Sequence, residues 1–239
     1  MTSRPDLKPG LRELIVDCLS LPYRSHSCMD SIPTDNHYQS IALGAERTPG
    51  FRSPRHELLD QIRFEDKKVL DLGSNLGELS RAARARGASL VDGYEYDPYF
   101  VQLANVVNAY NGVTRVSFFD RDITATSTYS EPYDVILAFS VYVYIRPVLA
   151  LVTSMANELL VLETHRIEDN LNSQYIAPVL QFMPHHRILG ESEWSASDLD
   201  AGTRVVVAFA RSESALESGL ASRDLTDGRV EAVPSARAL

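Results

Sequence analysis

Short apolar runs, most of them ending at an acid, recur along the middle of the chain, separated by stretches in which apolar residues return every three or four positions. The first pattern marks strands buried on both faces; the second marks helices with one buried face. Val69-Leu70-Asp71-Leu72, Leu90 to Glu95, Arg115 to Phe119, Tyr133 to Phe139 and Leu159 to Glu163 read as five such strands. Between them, Glu78 to Arg86 predicts a helix stopped by Gly87. A second helix starts at Pro98 under an Asp97 cap, shows Phe100, Leu103, Ala104 and Val107 on one face, and ends at Asn111-Gly112. A third, from about Val148 to Met155, joins the fourth strand to the fifth. Strand and helix in alternation imply a parallel sheet with helices on both faces.

The C-terminal pattern differs. Ser173 to Phe182 reads as a helix bent by Pro178, and His186 to Glu193 and Thr203 to Ala210 read as strands joined by Ser195 to Gly202. Strands so joined pair as a hairpin. The expected fold class is therefore α/β: a doubly wound, mostly parallel seven-stranded sheet with an antiparallel C-terminal hairpin. Ahead of the sheet, Gly10 to Leu21 predicts a helix with Leu11, Leu14, Ile15 and Leu19 on one face, and Ser53-Pro54 caps another from Arg55 to Ile62. Pro22 to Phe51 has neither period, and about 30 residues of irregular chain are unusual without a function, so this stretch reads as a lid over a ligand pocket. The chain thus divides into a helix and lid (1–64), a ligand-binding domain (65–211) and, where Ser, Asp, Glu and Arg dominate without period, a flexible tail (212–239).

At 239 residues and 44% hydrophobic content, the chain has the size and composition of one globular domain. It contains no apolar run of roughly 18 residues, the length a membrane helix needs. No apolar signal-peptide core follows Met1-Thr2-Ser3-Arg4-Pro5, and Cys18 and Cys28 lie outside any metal-ligand spacing, so a reduced, cytoplasmic protein with no metal site and no membrane partner is expected. A net charge of −9 offers no basic face for nucleic acid.

The turn Asp71-Leu72-Gly73-Ser74-Asn75-Leu76-Gly77 leads from strand to helix at the carboxyl edge of the sheet, where backbone N–H groups approach a ligand. A dinucleotide fingerprint would read G-x-G-x-x-G. Here Asp71 precedes the loop, and a carboxylate there repels pyrophosphate but suits a ligand carrying an ammonium group. Glu95 ends the next strand, placed to accept both hydroxyl protons of a ribose. At these residues the chain resembles the class I S-adenosylmethionine (SAM) methyltransferases, whose first motif reads acid-x-Gly-x-x-x-Gly. The resemblance implies a Rossmann-like fold, SAM as cofactor and S-adenosylhomocysteine as product. It implies cofactor contacts from Asp71, Gly73, Ser74, Asn75, Gly77, Glu95, Tyr96 and Tyr38. It further places Asp122, with Asp120 as competitor, on the adenine amino group, Ile123 on the ring, and Phe139 beside the sulfonium and acceptor.

His37-Tyr38-Gln39-Ser40-Ile41 with Arg47-Thr48-Pro49-Gly50-Phe51 resembles the region ahead of the first motif in the group that includes bacterial tRNA wobble-uridine carboxymethyltransferases. The acidic charge and short length depart from its tRNA-modifying members. Methyl transfer needs an acceptor lone pair aligned with the S–CH3 bond, and a hydroxyl acceptor also needs a base. His165, just past the fifth strand, and His37, in the lid, are the candidates. Tyr142, on one face with Tyr144 if the fourth strand continues, is either an acceptor wall or a core aromatic. Arg52, Arg55 and Arg166 are able to bind an anionic acceptor. The Asp/Asn-Pro-Pro-aromatic turn of amine methylation is missing after the fourth strand. The expected function is a SAM-dependent methyltransferase acting on a small molecule, at oxygen. The rivals are an RNA (tRNA) methyltransferase and a non-catalytic SAM-binding protein.

Overall fold

The computed structural model describes residues 8–19, 39–48, 55–164, 172–194 and 202–221. Strands β1 (Ala42–Leu43) and β2 (Glu46–Arg47) form a small antiparallel turn. The main sheet comprises β3 (Lys68–Leu72), β4 (Leu90–Glu95), β5 (Val116–Asp120), β6 (Tyr133–Ala138), β7 (Ala156–Glu163), β8 (His185–Trp194) and β9 (Gly202–Ala210). Its order is β5-β4-β3-β6-β7-β9-β8, parallel as far as β7, with β9 antiparallel to β7 and β8 antiparallel to β9. This is the predicted seven-stranded architecture. The strand order reverses between β3 and β6, and ligands of open α/β sheets bind outside the carboxyl ends at such a point.

The helices are α1 (Lys8–Leu19), α2 (His56–Leu59), α3 (Glu78–Ala85), α4 (Pro98–Asn111), α5 (Tyr142–Ile145), α6 (Leu149–Met155), α7 (Ala177–Leu180) and α8 (Glu213–Gly219). The α4 signals work as predicted: Asp97 Oδ1 accepts from Tyr99 N at 2.9 Å, Pro98 opens the first turn, and Gly112 closes the helix. Residues alternate along each central strand between two cores. Val69, Val91, Val135, Val161 and Val206 face α2, α3, α4 and α8, while Leu70, Ile136, Leu160 and Val207 face α5, α6 and α7. Each such side chain, fully buried, contributes roughly 1.5–3 kcal/mol. A third cluster joins Ile15 and Leu19 of α1 and Ile41 and Leu43 to Leu76 and to Phe100, Leu103 and Val107 of α4.

Several boundaries depart from expectation. Leu14 was expected on the buried face of α1 but is 54% exposed, because Ile15 and Leu19 take the contact with α4. Of the proposed lid, residues 39–48 are docked: Asn111 Nδ2 donates to Ala42 O at 2.8 Å, and Asn111 Oδ1 accepts from Gly44 N at 2.9 Å. They form a wall against α4, and the rest of the lid lies outside the described residues. Helix α2 begins after Arg55 and ends at Leu59. A π-turn at Asn172–Ile176 precedes α7 in place of one bent helix. Strand β6 stops at Ala138, so Tyr142 and Tyr144 lie on α5 and not on a strand face. The tail is not flexible as far as Ala221: Ser212 caps α8, Leu216 and Leu220 are buried, and Ala221 N donates to Gln61 O at 2.9 Å. With only two apolar positions, α8 left too weak a period to be read. Among the described residues, no helix is long and apolar enough to cross a membrane.

Candidate active site at the carboxyl edge of the sheet

Strand β3 delivers Asp71 to the edge, and the chain turns through Gly73 (φ 69°), Asn75 (φ 50°) and Gly77 (φ 76°) into α3. Glycine is required at both ends of this loop. A Cβ on Gly73 would lie 2.4 Å from Val141 Cγ1, and one on Gly77 would lie 2.1 Å from Phe118 Cζ. The loop spends its donors on the protein. Gly73 N and Ser74 N donate to Tyr94 O at 2.8 and 3.1 Å, Gly77 N to Ser74 O at 2.8 Å, Asn75 N to Glu95 Oε2 at 2.8 Å and Glu78 N to Gln39 Oε1 at 3.2 Å. Five of the six N–H groups from Gly73 to Glu78 are thus bonded within the protein, which agrees with the non-dinucleotide spacing.

Two carboxylates stand by this loop. Glu95 accepts from Asn75 N and, on its other oxygen, from Asp97 N at 3.1 Å. Desolvation raises its pKa, opposed by backbone hydrogen bonds from Asp97, Asn75 and Tyr96. Each oxygen keeps lone pairs for further donors, so the carboxylate is held ready for a diol. Asp71 is buried and accepts from Ser80 Oγ at 2.5 Å. Its pKa is pushed up to about 6 by burial; the Ser80 bond and the field of Arg55 pull it down, and Glu95 pushes it up. Asp71 is thus almost fully withdrawn from the surface of the edge.

Tyr96, 61% exposed, follows Glu95. Asp120 pairs in register with Glu95. Asp122 Oδ1 accepts from Thr124 N at 2.8 Å and from Thr124 Oγ1 at 2.7 Å, which lowers its pKa. Ile123 is buried behind it. Ser74 has a buried side chain whose Oγ lies 2.8 Å from the place a Gly93 Cβ would occupy, so it faces the sheet. Phe139 is buried under the Arg55 guanidinium, 5.3 Å from its ring centroid. Tyr142 packs on Tyr175 with centroids 4.9 Å apart and donates to Gln174 O at 2.9 Å. Its ring and hydroxyl are thus engaged in the core, whereas Tyr144 is exposed. His37, Tyr38, His165, Arg52 and Arg166 lie outside the described residues.

Two features escaped the sequence reading of roles. Gln39 is buried with its amide across the loop, donating to Ser74 O at 3.4 Å as it accepts from Glu78 N, and Arg47 pairs with Glu78 beside it. The box containing Gln39 was noticed, but its contact is not local. Further along the edge, Arg55, Ser140, Glu163, Ser192 and Arg204 converge in one buried polar cluster. Its members span β6, β7 and the hairpin, and no spacing rule links them.

The residues present fit a SAM-like ligand: a glutamate with acceptor capacity for a diol, a buried aspartate and a loop bounded by two glycines. A family model described as a methyltransferase domain matches residues 44–201. No curated protein matches the chain. Among solved structures, the bifunctional kinase–methyltransferase WbdD superposes with TM-score 0.52 at 16% identity over 66% of this chain and 39% of its own. A candidate SAM-dependent methyltransferase from Streptococcus mutans gives 0.52 at 16% identity over 65% and 47%. A candidate RNA methyltransferase from Pyrococcus horikoshii gives 0.52 at 16% identity over 84% and 97%. The chain spans less than half the length of the first two, and at such identity the likeness speaks to fold. With the family model covering more than half of its length, the chain belongs to the class I SAM-dependent methyltransferases.

Proposed function

We propose that the chain transfers a methyl group to an oxygen atom of a small-molecule acceptor. SAM supplies the methyl on a sulfonium; the chain's residues hold, orient and shield the reactants. Glu95 receives the ribose hydroxyls, Asp122, Ile123 and Tyr96 frame the adenine, and the Asp71 field favours the ammonium. The observation that carries oxygen as the acceptor is the turn after β6. Residues 139–142 offer no Asn or Asp side chain to receive an amine's protons, and the Ser140 hydroxyl is engaged with Glu163. The charge of −9 supports a small molecule over RNA. With a hydroxyl acceptor, His165 or His37 takes the proton; an ionised acceptor needs neither.

The test supplies methyl-labelled SAM with a panel of hydroxyl, carboxylate and amine compounds and with tRNA. Label on oxygen of a small molecule is the expected result; label on an amine or on tRNA overturns the reading. With a hydroxyl acceptor, His165→Gln lowers turnover by about 10²–10⁴-fold and removes the acidic limb of the pH profile, while wild-type turnover at every pH ends its candidacy.

A further inference from the structure

At the end of β6, Ser140 adopts a left-handed backbone, φ 63°. Such a conformation is costly for a non-glycine residue and persists only where its surroundings enforce it. The enforcement is visible. Ser140 Oγ donates to Glu163 Oε2 and accepts from Arg204 Nη1 at 2.8 Å. Glu163, 0% exposed, also receives Ser192 Oγ at 2.6 Å and Arg55 Nη1 at 3.2 and 3.4 Å on its two oxygens, with Arg204 Nη1 3.7 Å away. Arg55 is itself 2% exposed.

The next residue, Val141, fills the space that a Cβ on Gly73 would need. The array therefore runs without a gap from the hairpin and β7, through Ser140, to the loop that carries the cofactor. A buried ionic array of this kind is a poor source of stability, because desolvation cancels most of the attraction and apolar residues would serve as well. Its value here is geometric. It fixes a strained turn at the place where β6 meets the cofactor loop. Three hydrogen-bond donors and a second guanidinium already converge on Glu163, so it is no candidate for the proton acceptor and acts through Ser140.

We propose that Glu163 is a positioning residue for methyl transfer: with Arg55 and Arg204 it sets the Ser140-Val141 turn against which the acceptor is aligned. The proposal rests on methyltransferase chemistry and not on the class of acceptor. In-line transfer is sensitive to such alignment, since about 1 Å of misplacement costs on the order of a hundredfold in rate.

Glu163→Gln and Ser140→Gly, made in the full chain, test it with two readouts. The first is amide exchange at Tyr144 and Ile145, whose N–H groups bond to Val141 O and so report on the turn. In Glu163→Gln these amides exchange about tenfold faster or more, while SAM affinity by calorimetry stays within about twofold of wild type. The second is turnover with whichever acceptor answers the panel above: both variants lose about tenfold or more in kcat at unchanged KM for SAM. Ser140→Gly does so while melting no lower than wild type, because glycine relieves the strained φ. Unaltered exchange at the turn in Glu163→Gln overturns the proposal, as does wild-type kcat in both variants. Parallel loss of SAM affinity and stability in Ser140→Gly also overturns it, by making the array purely structural. If no oxygen acceptor is found, the exchange experiment still decides the role of Glu163.

Discussion

The carboxyl edge of the sheet has two halves that are built by different means. At the ends of β3, β4 and β5, the backbone does most of the work: Gly73 N and Ser74 N bond to Tyr94 O, Gly77 N bonds to Ser74 O, and Glu95 is oriented by Asn75 N and Asp97 N. At the ends of β6 and β7 and on the hairpin, side chains do it: Arg55, Ser140, Glu163, Ser192 and Arg204 hold one another in a buried cluster. The first half leaves Glu95 with acceptor capacity for a further ligand. The second is a set of charges already matched to each other. A backbone-built half tolerates side-chain exchange around it, while a side-chain-built half fails when any one charge is removed.

That contrast breaks most visibly at Glu163. Replacing it by Ala takes this carboxylate from the buried Arg55 guanidinium, so Glu163→Ala is expected to cost about 3–5 kcal/mol in urea denaturation. A loss under 1 kcal/mol would mean that water reaches the cluster and that the two halves do not differ.

Asp71 sharpens the contrast through pH. Its folded pKa, about 6, exceeds the ordinary value of 3.8, so the folded state holds the proton more tightly than the unfolded one. Stability from this group is then fully present below pH 3.8 and is lost as pH rises through about 6. Asp71→Asn removes the dependence, and wild type should lose on the order of 2 kcal/mol relative to the variant between pH 4 and pH 7. The ionised form favours a cation, so SAM affinity rises over the same interval in wild type and stays level in Asp71→Asn. A level wild-type profile would remove Asp71 from the account of cofactor binding.

Gln39 is an exception to this division, a side chain that supports the backbone-built loop. Gln39→Ala leaves Ser74 O and Glu78 N without this partner, with an expected cost of about 1 kcal/mol in stability and several-fold in SAM affinity. Thermal melts with and without SAM measure both effects; no change in either would show the contact to be incidental.

The same division decides what could be read from the chain in advance. The half at β3, β4 and β5 is local. Asp71, Gly73 and Gly77 lie within one turn, Glu95 ends the next strand, and Asp97-Pro98 announces the helix that follows, so period and capping chemistry sufficed there. The half at β6, β7 and the hairpin is not local. Arg55 and Glu163 are separated by 108 residues and meet only because β7 and the start of α2 share one face of the sheet. The two readings of Tyr142 stayed open for a related reason: nothing in Phe139-Ser140-Val141-Tyr142 announces a left-handed serine, after which the tyrosine starts α5 and packs in the core. The helix at Glu213–Gly219 went unseen because docking on Leu159, and not its own periodicity, holds it.

The central claim is that the glycine loop and Glu95 together bind SAM. Calorimetric titration of SAM into wild type and Glu95→Ala, with NAD as competitor, tests it most directly. The account predicts that the variant folds normally and binds SAM more weakly by about 1–3 kcal/mol, and that NAD does not compete. Equal affinity in the two proteins, or displacement of SAM by NAD, would contradict it.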